Sequence, residues 1–483
     1  MERDEEKACD EALFAAAAAA GFTALTKGER RMLRGWRRGV AAQLGDATLP
    51  AAPGEGCLVR AGLIAWAVLR SNDPAAHPAN RMHVIGAYIE GPIDLAGQRI
   101  RANLVLQRCR FTGPLIVSDA MTAGLDLNGS HIARDGYRGT SIDARHLRAN
   151  GDVRLRDLIC DGGVAMSGAE IRGDLDLSGS RFGKRRANFH GYEFEVSIGA
   201  PGAKIFGALN MLRPPKEGEM FAGALNLHNA EVNVLQDDPA CWPKAGDLFL
   251  DGLRYRQIGS IKPGAADARE RGRWLLLQPA HQLKAEFKPQ PFEQLARVLK
   301  TTGHALEARR IGVLKQRMLR RAGRIPWYIR PFHWLFGLIA GYGYWTSRVL
   351  LWAALVVALG AGLYEAAWRA GVMTPAKPEA LLSAQWGACV ETAPDLTAAC
   401  FLSAPPGEDY EPFNAALYSL DLFLPVVVLE QEENWSPTPH RGAEILGAPI
   451  GGWAWGYRFF HELLGYILSG FAIVGFAKLA ERD

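Results

Sequence analysis

Ile171-Arg-Gly-Asp-Leu-Asp-Leu177 carries a pattern that recurs from about Val84 to Ser260: a bulky lead residue, Gly or Ala two positions on, then two aliphatics separated by one residue. Its companions are Ile89-Glu-Gly-Pro-Ile-Asp-Leu95, Ile100-Arg-Ala-Asn-Leu-Val-Leu106, Phe111-Thr-Gly-Pro-Leu-Ile-Val117 and Met121-Thr-Ala-Gly-Leu-Asp-Leu127. After an interruption come Cys160-Asp-Gly-Gly-Val-Ala-Met166, Ile205-Phe-Gly-Ala-Leu-Asn-Met211 and Phe221-Ala-Gly-Ala-Leu-Asn-Leu227. Alternation places Leu125 and Leu127 on one side of a short strand and Asp126 on the other. The small residue leaves room for a tight corner against the neighbouring coil. Self-similarity of this kind marks a solenoid, in which each coil buries its inward residues by stacking on the next. Two motifs per coil of roughly 21 residues give about eight coils and, at ~4.8 Å per coil, a rod about 40 Å long. The motifs are too short to hold the helix of a leucine-rich repeat. The expected fold over residues 81–260 is a right-handed parallel β-helix of pentapeptide-like type.

Polar residues within the repeats are expected to serve the turns. Asp94, Asp126, Asp174 and Asp176 fall at outward or corner positions, where aspartate supports loops. His131, His146, His190 and His228 lack the spacing of a metal-ligating pair. Cys160 occupies a lead position and reads as a small buried hydrophobe. No catalytic residue, cofactor site or metal site follows from this region.

The flanks read as helical. In region 1–80, Thr26-Lys-Gly-Glu29 has capping-box spacing ahead of a helix expected over Arg30 to Gln43, with Met32, Leu33, Trp36 and Val40 on one face. A second apolar helical stretch runs from Leu58 to Leu69. The acidic start, Met1-Glu-Arg-Asp-Glu-Glu-Lys, lacks the basic n-region of a secretory signal, although Ala15 to Ala20 mimics a short apolar segment. Arg30, Arg31, Arg34, Arg37 and Arg38 read as a solvated helix face rather than a nucleic-acid contact. In region 261–324, Pro291 to Lys300 and Leu306 to Lys315 form two helices joined at Gly303, similar to half of a tetratricopeptide-type pair. A rigid connector is expected there.

The chain's averages conceal two unlike halves. With 483 residues, 48% hydrophobic, 22% charged, a net charge of +4 and seven cysteines, it is neither disordered nor a small disulfide scaffold. The charge excess typical of nucleic-acid binding is also missing. After Arg330, however, the character changes, and region 325–483 reads as an α-helical transmembrane module. Residues 325–345 mix aromatics and basic residues, as an interfacial helix does. Val349 to Trp368 is long and apolar enough to span a bilayer, and residues 453–478 supply a second span, with Arg458, His461 and Glu462 near its start.

Charge sets the expected orientation. Lys300 to Arg330 holds nine Lys or Arg residues against one acid, Glu307, whereas 369–412 holds Arg369 and Lys377 against six acids. The positive-inside rule then places the solenoid and both termini in the cytoplasm and 369–412 outside. Segment 413–429 contains Asp421 and Pro425 and is followed by Glu430, Glu432 and Glu433, so a re-entrant or interfacial course fits an even number of crossings. Asp421 is expected to face protein or water, and Glu365 to reach the interface. Cys389 and Cys400 in the external loop are placed to form a disulfide in an oxidising compartment. Gly341-Tyr-Gly343 precedes the first span and reads as an interfacial turn rather than an ion filter.

Together these features resemble a bacterial family known as membrane-associated oxidoreductases, which carry pentapeptide-like repeats. The resemblance rests on Val59-Arg-Ala-Gly-Leu-Ile-Ala-Trp66, the Gly-Asp-Leu-Asp-Leu run at Gly173, Gln290-Pro-Phe-Glu-Gln-Leu-Ala296, Gly341-Tyr-Gly-Tyr344 and Tyr418-Ser-Leu-Asp-Leu-Phe-Leu-Pro425. The C-terminal arrangement is also similar to two-span ion-channel modules, with Tyr418-Ser-Leu420 where a pore helix would run. Val426-Val-Val-Leu-Glu-Gln-Glu-Glu433 stands where a channel would place its Thr-Val-Gly-Tyr-Gly filter. The family name implies redox chemistry, yet the residues provide no dinucleotide fingerprint, CxxC pair, haem or iron–sulfur spacing. The expectation is a non-enzymatic inner-membrane scaffold or sensor without cofactor, binding lipid and an unidentified protein through its solenoid. The alternatives are a homo-oligomeric cation pore, with Glu430, Glu432 and Glu433 near its mouth, and the oxidoreductase that the family name implies.

Overall fold

Four inward-facing ladders of side chains run along the repeat region of the computed structural model, which describes residues 2–70, 81–189, 192–259, 266–345, 347–445 and 447–480. The first ladder stacks Val59, Ile89, Phe111, Ile132, Cys160 and Phe182 through parallel strand pairs. A second stacks Ile93, Leu115, Ile142, Val164, Ile198, Leu225 and Leu248. The third contains Ile100, Thr122, Ala149, Ile171, Ile205, Val232 and Tyr255, and the fourth Leu104, Leu125, Val153, Leu175, Leu209, Leu235 and Ile258. Lead residues of alternate motifs thus belong to alternate ladders, and two motifs make one turn. The result is a parallel β-solenoid of about eight turns over residues 81–259, followed by helices.

The repeat glycines have the steric role their spacing implies. A Cβ on Gly113 would stand 2.8 Å from the Pro92 nitrogen, and one on Gly207 would stand 2.7 Å from the Gly173 carbonyl carbon in the coil before it. One sequence expectation needs correction. Thr122, not Met121, is the inward lead, because its buried hydroxyl donates to the Gly124 carbonyl at 3.1 Å and a bulge shifts the register beside it. Asp126 and Asp176, expected at outward or corner positions, take corners but are buried. Asp126 accepts from Gln107 Nε2 and the Asn128 N–H, while Asp176 accepts from Arg156 Nε and the Ser178 N–H, so hydrogen bonds compensate their burial. Asp94 and Asp174 are exposed as expected.

Helices close both ends of the stack. Helix α1 (Glu2–Ala19), α2 (Lys27–Arg38) and α3 (Ala61–Arg70) precede the coils. The capping box at Thr26 and Glu29 forms, but α2 stops at Gly39, whose φ of 67° ends it. Val40 is therefore 55% exposed instead of sharing the buried face, and Ala42–Gln43 becomes the first strand. Leu58–Arg60 is likewise a strand, and the expected second helix starts only at Ala61. Arg34, Arg37 and Arg38 are not merely solvated, since all three reach Asp10 on α1.

At the other end stand α4 (Ala268–Leu275), α5 (Ala280–Leu283), α6 (Gln290–Thr301) and α7 (Ala305–Arg321). Gly303, with φ of 87°, makes the joint between α6 and α7. These helices cap the solenoid as well as connecting onward. Gln290 donates to Leu253 O and accepts from Gly252 N, and Gln294 donates to Tyr255 O, which satisfies the open edge of the final coil. Phe292, Leu295 and Val298 continue the solenoid's own core. Buried Arg271 of α4 donates twice to buried Asp237, at 2.9 and 2.7 Å, and Trp242 Nε1 adds a third bond to the same carboxylate.

The chain divides into two compact units, Met1–Arg324 and Ile325–Asp483. The second contains α8 (Arg330–Ala340), α9 (Ser347–Arg369), the short helices α10 (Pro378–Leu381), α11 (Ala384–Thr392) and α12 (Thr397–Phe401), then α13 (Ala415–Phe423), α14 (Gln431–Asn434) and α15 (Ile450–Ala480). Among the described residues, α9 is the one helix long and apolar enough to cross a membrane by length and composition. Helix α15 is longer, at 31 residues, with Arg458, His461 and Glu462 in its first half.

Candidate functional site

The densest polar arrangement of the C-terminal unit lies where α9, α13 and α15 meet. Gly360 on α9 permits this meeting: a Cβ there would stand 2.6 Å from His461 Cε1 and would also collide with Ser419 Oγ. The neighbouring small residue, Gly362, faces open space. Ser419 donates to Val357 O at 2.8 Å, and His461 Nε2 lies 2.9 Å from Ser419 O, so α13 is tied to both long helices. Tyr364, Tyr418 and Tyr457 surround this point, with Tyr364 and Tyr418 packed edge to face at 4.7 Å between ring centroids.

Beyond α13 the chain passes through an irregular segment, Leu424 to Leu429, bent at Pro425 and Val426, before α14. Asp421 holds that segment: one carboxylate oxygen accepts from Leu429 N at 2.8 Å and the other from Glu432 N at 2.9 Å. It is buried and faces protein. Glu432 in turn forms a close ion pair with Arg458 of α15. Arg458 also donates to Glu462 one turn along, at 3.0 Å. Asp421, Glu432, Glu433, Arg458 and Glu462 line a cavity of about 790 Å³ whose wall also includes Val426 to Val428. Val426 is 87% exposed.

The sequence-selected acids therefore separate into distinct roles. Asp421 orders a loop, and Glu432 is neutralised by Arg458. Glu430, at φ 63°, and Glu433 are exposed. Glu365 lies away from the cluster and pairs with Arg369 at 2.8 Å along α9. Cys389 and Cys400 are joined in a disulfide with 5.8 Å between their Cα atoms. It ties α11 to α12, beside a packed aromatic group of Trp386, Phe401, Tyr410 and Trp435. Gly341-Tyr342-Gly343 forms a tight 3₁₀ turn after α8, with the buried Tyr342 ring 4.6 Å from His333.

In the solenoid, His131 contacts Arg110 and Asp161, His228 lies 3.7 Å from Asp251, and His146 occupies a left-handed corner at φ 53°. His190 lies outside the described residues. No group of three or more His, Cys, Asp or Glu side chains is arranged to hold a metal among the described residues. Burial pushes the Cys109 thiol up to about 12 and raises that of Cys160 as well, so neither is a thiolate nucleophile at neutral pH.

The Glu432–Arg458 pair is what sequence inspection misses, because 26 positions separate the partners and a loop brings them together. The spacing of Arg458 and Glu462, one helical turn apart, was the available signal. No protein-family model, curated protein or solved structure matches this chain.

Proposed function

We propose that the protein is an integral membrane protein whose C-terminal unit lies in the bilayer and whose solenoid is a cytoplasmic binding platform. The observation that carries this reading is the apolar outer face of α9 and α15 around an inward-turned polar cluster. Leu350, Leu351, Leu355 and Leu359 of α9, and Phe459, Phe460, Leu463 and Ile473 of α15, are exposed, while Asp421, Glu432, Arg458, Ser419 and His461 turn toward one another. Lipid favours such an arrangement and water opposes it. On this reading α9 and α15 are the two spans, and Trp327, Tyr328, Phe332 and Trp334, all exposed, sit at the interface. The charge asymmetry around α9 and the disulfide in 369–412 support an external position for that loop, with both termini inside an inner, plasma-type membrane.

The rod supports the platform role, since repeat stacks present a long, regular surface to partners. Alkaline carbonate extraction of membranes containing the full chain tests the membrane part. Retention in the pellet is expected, and release into the supernatant would refute it.

A second reading, an oligomeric cation pore, is favoured by one specific feature. A short helix, α13, lies between two long ones in the chain and is followed by an irregular segment that exposes Val426 to Val428 beside Glu430 and Glu433. Two spans cannot enclose a pore alone, so this reading requires a homo-oligomer. Reconstituted protein that stays monomeric and passes no current would eliminate it.

A further inference from the structure

Two departures from the coil repeat meet at one place on the solenoid. The first is the loop at Arg134 to Gly139, where Asp135 accepts from the backbone N–H groups of Arg138, Gly139 and Thr140. The second is an antiparallel excursion formed by Arg185–Phe189 and Tyr192–Gly199, the one antiparallel pair among the described strands of the stack. The two insertions are joined directly, since Arg186 N donates to Arg138 O at 3.0 Å. A repeat interrupted twice at one position gives up regular stacking to build something local.

What it builds is a cavity of about 520 Å³ with Arg138, Arg145, Arg185 and Arg186 in its wall, against one lining carboxylate, Glu193. Arg185 is the centre of this arrangement. Its side chain lies across the sheet where Gly163 and Gly199 leave space: a Cβ at 163 would stand 2.7 Å from its Cγ, and one at 199 would stand 2.5 Å from its Nη2. Its Nε is buried without a hydrogen-bond partner. Asp143, the acid whose charge acts on Arg185, is already held by both a 2.8 Å and a 2.6 Å bond from Arg145. Burial loosens the Arg185 proton, Asp143 opposes that, and Arg145 and Arg138 add to it. An anion placed among these groups would supply the missing acceptor and offset the crowding of positive charge.

We infer that this cavity binds a phosphate group carried by a small molecule, with the Arg185 and Arg138 guanidinium groups as its principal donors. Planar guanidinium forks match phosphate oxygens, and the cavity has the volume of a small-ligand site rather than the extended stripe of a nucleic-acid surface. Tyr137, 86% exposed with the Arg138 guanidinium 5.9 Å from its ring centre, and Phe194 provide flat surfaces for the rest of the ligand. This inference rests on the solenoid unit alone and does not depend on membrane insertion.

Calorimetric titration of the purified full chain in mild detergent with inorganic pyrophosphate tests it. Saturable binding at one site per chain is expected, weakened roughly tenfold or more in Arg185→Gln and less in Arg185→Lys, which keeps the charge and loses the fork. Arg138→Gln, at an exposed position, should also weaken binding, and it carries the test if Arg185→Gln loses its melting transition. Arg256→Gln, remote from this cavity in the repeat, should bind as the parent chain does. Absence of binding, or equal affinity in folded Arg185→Gln and Arg138→Gln proteins, would overturn the inference. Competition identifies the source of the phosphate group. Displacement of pyrophosphate by glycerol 3-phosphate supports a free phosphate ester, displacement only by short-chain phosphatidic acid supports a lipid headgroup, and displacement by neither counts against the site.

Discussion

The solenoid and the C-terminal unit both bury apolar cores, but they differ in what they leave at the surface. In the first, four ladders of aliphatic side chains fill the interior and charged residues such as Arg154 and Asp152 pair at the surface. In the second, leucines and phenylalanines of α9 and α15 face outward, and the charges of Glu432, Arg458 and Glu462 are drawn inward. Apolar side chains of the solenoid are thus turned inward, while many of those on α9 and α15 are turned outward. The contrast also explains why whole-chain composition looks ordinary, since the two patterns cancel in an average.

The largest expected effect is at the capped end of the solenoid. Arg271→Ala leaves the buried Asp237 carboxylate without its cationic partner, held only by Trp242 Nε1, and a loss of about 3–5 kcal/mol is expected in denaturant unfolding of the full chain in detergent. A negligible loss would mean that α4 does not seal the last coils. Next, Leu175→Ala removes one rung between Val153 and Leu209 and should cost about 2–4 kcal/mol by the same measurement. Leu355→Ala, an apolar truncation on the outward face of α9, should leave that unfolding transition nearly unchanged, which sharpens the contrast between the two units. Arg458→Gln should destabilise the C-terminal unit by about 1–3 kcal/mol, because Glu432 and Glu462 lose their shared partner while part of the cluster stays open to the cavity. An unchanged melting temperature there would show that the cluster is not held by charge pairing.

The smallest effect concerns pH. Burial acts to raise the Glu29 pKa, but the hydrogen bonds from Arg60 and Thr26 outweigh it and hold the carboxyl below its ordinary 4.5. A depressed folded-state value means that stabilisation is full above pH 4.5 and is lost as pH falls through the folded value. Thermal melts should therefore show the N-terminal cap weakening on acidification below 4.5, and Glu29→Gln should flatten that dependence.

Much of the solenoid was legible in the sequence because its stabilising contacts repeat at short range. Leu175 recurs at the position of Leu125 and Leu209, and periodicity reveals that without knowledge of the neighbours. Errors arose where local chemistry overrides the period. Gly39 ends a helix that hydrophobic spacing carries to Gln43, and Thr122 takes the inward lead one residue after Met121. Asp126 and Asp176 hold corners, as expected of outward or corner aspartates, but their corner hydrogen bonds keep them buried. At the C-terminal cluster the acids were visible one by one, but their partners were not. Asp421 reaches Glu432 N, and Glu432 reaches Arg458, through a loop whose course no spacing rule encodes. The arginine cavity was hidden for a related reason, as it arises from two interruptions that a repeat-based reading sets aside.

The membrane reading is tested most directly by the sidedness of 369–412 relative to the solenoid. Exposed Glu379 can be replaced by cysteine in that loop, and exposed Cys9 serves as the native reporter in α1. In sealed, right-side-out vesicles carrying the Glu379→Cys chain, a membrane-impermeant maleimide should label residue 379 before lysis and Cys9 only after detergent is added. Labelling of both before lysis, or of Cys9 alone, would contradict the account.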